Sequence, residues 1–139
     1  MRIHKRQSAS MNAKMDEIIS DIGNLMMDTA DIEFAKAWLY VEAEEGAIAP
    51  DLFYRTRDNR HVYRFADHEL VNKIYELYTE FQSLGKQPWT TFSYTLGQDN
   101  KFSIDFGYDD IRPDDEDRDA RKALWIQEHL GDVEIDYPE

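Results

Sequence analysis

The chain contains no cysteine. That excludes disulfides, thiol nucleophiles and Cys-ligated zinc or iron–sulfur centres, and it suits a reducing compartment. No stretch approaches the roughly 18 consecutive apolar residues of a membrane-spanning helix. Positive charge is scarce: 16 Lys and Arg stand against 29 Asp and Glu, a formal charge of -13 over 139 residues. Phosphate contacts need Lys and Arg, so direct nucleic-acid binding is disfavoured, as is an anionic membrane surface. The spacings of a P-loop, a dinucleotide fingerprint, an HExxH zinc helix and an EF-hand are all missing. Basic Arg2, His4, Lys5 and Arg6 lead into polar residues 7–10, not into an apolar core with a cleavage site. A secretory signal is therefore not expected, and the cytoplasm is the expected location.

What is present is enough for one core. Hydrophobic residues make up 42% of the chain and aromatics 13%, which excludes global disorder. The acid is concentrated late. Residues 109–139 hold twelve carboxylates against Arg112, Arg118, Arg121 and Lys122. Such a field favours solubility and a basic partner.

Residues 1–10 show no helical stripe and read as a flexible leader, with Met11 a candidate start. Met11, Met15, Ile18, Ile19, Ile22, Leu25 and Met26 then recur at helical spacing, predicting a helix over 11–27 with one apolar face. Residues 34–43 carry two packable rows, as a central strand does. After a Glu44-Glu45-Gly46 turn, Pro50 precedes a strand over 52–57, and a tight turn at 58–60 returns the chain as a strand over 61–65. Asp67 is placed to cap a second helix whose stripe is Leu70, Val71, Ile74, Leu77, Tyr78, Phe81 and Leu84, stopped by Gly85. A hairpin follows: Phe92, Tyr94 and Leu96 alternate with polar residues before the turn 97–100, and Phe102, Ile104, Phe106 and Tyr108 alternate after it. Pro113 and the acids 114–117 open a third helix. Ala120, Ala123, Leu124, Gln127 and Leu130 form its expected packing side with Trp125 beside them, and Gly131 ends it. Residues 132–139 read as an acidic tail.

The element order α-β-β-β-α-β-β-α gives an α+β domain over 11–131, with a five-stranded, mainly antiparallel sheet and helices packed on it. Most of Trp38, Tyr40, Phe53, Tyr54, Trp89, Phe92 and Tyr94 belong to the core. Trp89, after Pro88 at a strand entrance, is either a plug or a contact. The dispersed His4, His61, His68 and His129 read as surface or capping residues.

The acids at the end of the hairpin carry the main functional question. Asp105, Asp109 and Asp110 could serve a metal-dependent hydrolase, but the spacing D-x-x-x-D-D shows only part of a ligand set, with Lys101 loosely placed beside it. They could cap the next helix or pair with Arg. They could also form a docking surface for a cationic cleft. A general acidic adaptor is a further reading of the same charge.

Three blocks resemble one family, the YezG-like immunity proteins, antitoxins of bacterial polymorphic toxins. The first is Met11-Asn12-Ala13-Lys14-Met15-Asp16-Glu17-Ile18-Ile19 continuing to Ile22-Gly23-Asn24. The second is Pro88-Trp89-Thr90, then Lys101-Phe102-Ser103-Ile104-Asp105-Phe106, then Tyr108-Asp109-Asp110. The third is Arg121, Trp125, Leu130 and Gly131. The chain departs from the pattern in its leader, in His129 where an aromatic precedes Leu-Gly, and in its heavy acidic run 114–119. The resemblance implies a non-enzymatic cytoplasmic protein, without cofactor, catalytic residue or metal ligand. Its partner would be the toxic domain of a cognate protein toxin, often a nuclease with a basic cleft. Joined to the docking-surface reading of the acids, this makes Asp105, Tyr108, Asp109, Asp110, Asp114, Asp115, Glu116 and Asp117 the expected toxin contacts.

Overall fold

The computed structural model describes residues 13–44, 47–97, 99, 101–109, 111 and 115–138. The expected leader and Met11 lie outside them. Helix α1 (Ala13–Thr29) buries Met15, Ile18, Ile19, Ile22 and Met26, the stripe anticipated from their spacing. Helix α2 (His68–Ser83) begins where Asp67 accepts a hydrogen bond from the Leu70 amide, 2.9 Å, satisfying one of the amides that a helix start leaves orphaned. It buries Leu70, Ile74, Leu77, Tyr78 and Phe81, whereas Leu84 at its end is exposed.

The strands are β1 (Lys36–Glu44), β2 (Ala47–Arg55), β3 (His61–Arg64), β4 (Thr91–Gly97), β5 (Phe102–Gly107) and β6 (Ile135–Asp136). They form one sheet in the order β5-β4-β1-β2-β3-β6. The α+β class stands, but among the described residues the sheet has six strands, not five, and it is mixed: β6 runs parallel to β3, through His61–Ile135 and Val62–Asp136. This strand lies in the stretch read as an acidic tail. Two residues are too few to show an alternation, and the pairing joins elements far apart in sequence. Tyr137 packs its ring on Tyr63 at 5.2 Å beside it. Pro50 also lies inside a strand, opposite Val41, not before one.

The period-two alternation of β1 sends two rows to two cores. Ala37, Leu39, Val41 and Ala43 join α1, α2, Leu52, Tyr54, Trp89, Phe92 and Tyr94 in the larger one. Two tyrosines fasten α1 across it, Tyr54 donating to the Met26 carbonyl (2.5 Å) and Tyr94 to the Ile19 carbonyl (2.9 Å). On the other face Trp38, Tyr40, Phe53 and Tyr63 meet Trp125 of α3 (Asp115–His129).

The packing side of α3 differs from expectation. Ala120, Ala123, Leu124 and Gln127 are exposed, Leu124 at 60%. The side that meets the sheet is Arg118, Arg121, Lys122, Trp125 and Ile126. Those positions follow helical spacing as well, but the acids they approach lie on β1 and β2, out of reach of any local pattern.

Candidate functional site

Asp105 lies opposite Ser93 on β4. Ser93 accepts a hydrogen bond from the Trp125 indole, 2.9 Å. Residues directly opposite share a face, so Asp105 stands on the α3 side of the sheet, and it is exposed. Tyr108, 46% exposed, and Asp109 continue past the end of β5 into solvent. Asp117 is exposed on α3, and Asp115 and Glu116 belong to its first turn. Asp110 and Asp114 lie outside the described residues. Among the described residues no group of three or more His, Asp or Glu side chains is arranged to hold a metal ion.

The two halves of the Pro-Trp-Thr and Tyr-Asp-Asp series meet in space. The Thr90 amide donates to the Gly107 carbonyl at 2.8 Å, and its hydroxyl donates to the Asp109 carbonyl at 2.5 Å. Gly107 is required there: a Cβ would stand 2.2 Å from the Thr91 hydroxyl. Trp89 is a plug, not a contact. It is wholly buried, edge-on to Tyr78 at 5.4 Å and beside Phe92 at 5.4 Å. The backbone of Asp109 is therefore tied to the start of β4 next to buried Trp89, and the residue is exposed.

Beneath α3 lies a polar layer that the sequence reading missed. Glu42 is 5% and Asp51 3% exposed, both inside the sheet. Arg121 grips Glu42 with two hydrogen bonds of 2.9 Å, and Tyr40 donates to the same carboxylate at 2.6 Å. Asp51 receives the Tyr63 hydroxyl at 2.8 Å, with Arg118 at 3.4 Å and Lys122 at 3.6 Å. A buried carboxylate is tolerable only when paired and hydrogen-bonded in this way. Burial pushes the Glu42 carboxyl up, but the Arg121 guanidinium and the Tyr40 hydroxyl outweigh it and hold the group below its ordinary range. Burial, reinforced by the neighbouring carboxylates, drives the Tyr40 and Tyr63 hydroxyls far above theirs, so both remain donors. The available signal was Glu42 within the otherwise packable run of β1: a carboxylate in a central strand requires a cation from somewhere.

Two histidines belong to this side of the molecule. His61 is buried, 6.2 Å from Trp38, and burial lowers its imidazole below the usual range; it is not the surface residue expected. His129 stacks on Trp125 at 4.4 Å, in the place where the resemblance called for an aromatic ring.

Trp125 thus sits between Tyr40 at 5.1 Å, Phe53 at 5.6 Å and His129, with Arg121 one turn earlier. The Arg, Trp and Leu-Gly of the closing block are what seat and end α3; Gly131 takes a positive φ of 89°. Within the blocks that carried the resemblance, Trp89, Phe102, Arg121, Trp125 and Gly131 anchor the fold, while Asp105, Tyr108 and Asp109 are exposed.

The structure is thus an anchored α+β scaffold with exposed acids on the α3 side of its sheet. The profile of the family described as Immunity protein YezG-like matches residues 50–137. The chain belongs to that family. It is similar to Immunity protein YezG of Bacillus subtilis (strain 168), 26% identical over 133 residues, covering 84% of this chain and 88% of the relative. It is also similar to Immunity protein YezG of Bacillus spizizenii, 32% identical over 63 residues, covering 45% of this chain and 39% of that one. Membership in an immunity family implies a cognate toxin as partner. Among the described residues no helix is long and apolar enough to cross a membrane.

Proposed function

We propose that this is a non-enzymatic cytoplasmic immunity protein. It binds the C-terminal toxic domain of a cognate polymorphic toxin, a nuclease, and blocks it through an acidic surface. The observation that carries the reading is how α3 divides its charge. Arg118, Arg121 and Lys122 are turned toward Asp51 and Glu42. The exposed positions of the helix keep Asp117, Asp119 and Glu128. With its bases occupied on the sheet, the helix presents acid outward, on the same side as Asp105. A nuclease cleft must be cationic to hold phosphate, and a surface of this sign is its electrostatic complement. Asp105, Tyr108, Asp109, Asp110, Asp114, Asp115, Glu116 and Asp117 are the proposed contacts.

The test uses the toxic domain encoded beside this chain's gene. Mixing the two should give a stable complex and abolish nucleic-acid cleavage. Reversing Asp109 and Asp110 to Lys, or Asp117 and Asp119 to Lys, should slow association on the order of tenfold at low salt, less as salt rises. Unchanged association in both double variants would remove the electrostatic part of the reading. The absence of any complex would remove the reading itself.

A further inference from the structure

Among the described residues the sheet has four stretches of open strand edge, and they are not equivalent: the outer side of β3 beyond Val62 is only Tyr63 and Arg64. β6 is two residues long. On β2, β3 covers only Leu52 to Arg55, leaving the outer side of residues 47–51 open. Pro50 occupies that stretch. The Ala43 amide donates to Thr90, which assigns Val41 and its alternates to hydrogen bonding with β4. Pro50, opposite Val41, therefore turns its nitrogen to the open side, where it has no N–H to offer. Proline on an exposed edge is a common block against a foreign strand.

β5 has no such block. It is six residues long, without proline, and it is the terminal strand of the sheet. The Gly97 amide donates to the Lys101 carbonyl at 2.9 Å. Because narrow and wide pairs alternate, Ser103 and Asp105 point their backbone groups at β4, and Phe102, Ile104 and Phe106 point theirs away from the sheet. Ile104 and Phe106 are also only partly buried, so the larger core is left open along this edge. The other face of the strand carries exposed Asp105, with Asp99 and Asp109 at its two ends and Lys101, 4.0 Å from Asp99, as the one base.

We propose that β5 accepts an added strand from the toxin, antiparallel or parallel, whose side chains alternate between basic and apolar. The basic row would lie beside Asp105, and the apolar row would extend the core past Ile104 and Phe106. Main-chain bonds to residues 102, 104 and 106 supply affinity, and the two rows supply selectivity. The charge of -13 argues against a second copy of this chain as the occupant. This inference rests on the toxin-binding reading above.

The experiment is residue-resolved hydrogen exchange on the full chain, free and mixed with the inactivated toxic domain encoded beside its gene. In the free protein the amides of Phe102, Ile104 and Phe106 should exchange fast, while those of Ser103 and Asp105 are protected. Complex formation should slow the first three by at least about tenfold. Ile104→Pro removes an outward amide without touching the ladder to β4; it should weaken the complex about tenfold or more while the free variant still melts cooperatively. If the complex forms and those three amides stay fast, the strand-addition proposal fails and the toxin-binding reading stands. If they are already protected in a free protein that sediments as a dimer, the occupant is a second copy and the proposal fails. If no complex forms, both readings fail.

Discussion

Replacing Arg121 with Ala strands the Glu42 carboxylate, 5% exposed in the middle of β1. Removing one partner of a buried pair typically costs about 3–5 kcal/mol, because the remaining charge keeps its desolvation penalty. Two features place this case at the lower end. The Arg121 side chain is 26% exposed, so water can enter the vacated space, and Tyr40 still donates to Glu42. A loss of about 3 kcal/mol follows, lowering Tm by roughly 10 °C for a chain of this length. The pH dependence identifies the cause. In the native protein the Glu42 carboxyl lies below its unfolded value of 4.5. Its contribution is complete above that pH and is lost as pH falls through the lowered folded value. In Arg121→Ala the guanidinium is gone and burial dominates, which favours the protonated acid. The deficit should therefore be largest at pH 7 and shrink toward pH 4. Urea unfolding of both proteins at pH 7, 5.5 and 4 measures it. A deficit under about 0.5 kcal/mol at pH 7, or one that does not narrow with acid, would refute the account of this pair.

Trp125→Ala removes the rings packed on Tyr40 and Phe53 and the donor to Ser93; urea unfolding should report a loss of about 3–5 kcal/mol. Leu124→Lys changes an exposed side chain and should move stability by no more than about 0.5 kcal/mol. That is the reverse of what its apolar character suggests, and a thermal melt decides it. Gly107→Ala should cost about 1–3 kcal/mol through the clash with the Thr91 hydroxyl, and adding Thr91→Ala should restore most of it in the same assay.

The hairpin of β4 and β5 was legible because its alternation is local and clean, and α2 because Asp67 and Gly85 mark its ends. Residues 11–27 announced α1 by their stripe for the same reason. What could not be read was long-range and polar. α3 looked like an amphipathic helix with Leu124 inward, since periodicity rewards apolar residues and has no term for a base that meets a buried acid. The partners of Arg121 and Lys122 stand 79 and 71 positions away, at Glu42 and Asp51. β6 was hidden by its two-residue length, and Pro50 misplaced the start of β2 because its lost amide points off the sheet. Of the candidate contacts, the exposure of Asp105, Asp109 and Asp117 followed from the polar row of the hairpin and from acids on a helix, whereas Tyr108 falls in the apolar row and is exposed because β5 ends at Gly107, one residue before it. The open edge of β5 did not, since a strand's place in a sheet is set by topology.

The position of β1 also shapes how the protein is made. One flank of β1 is closed by β2 directly after it, but the other waits for β4, about fifty to sixty residues later. During synthesis the β1–β2–β3 meander can assemble while one side of its most buried strand stays bare, until α2 and residues 91–97 have left the ribosome. Closing that loop costs more chain entropy than closing the local β1–β2 hairpin. A ribosome stalled before residue 91 would hold the chain in its most aggregation-prone state.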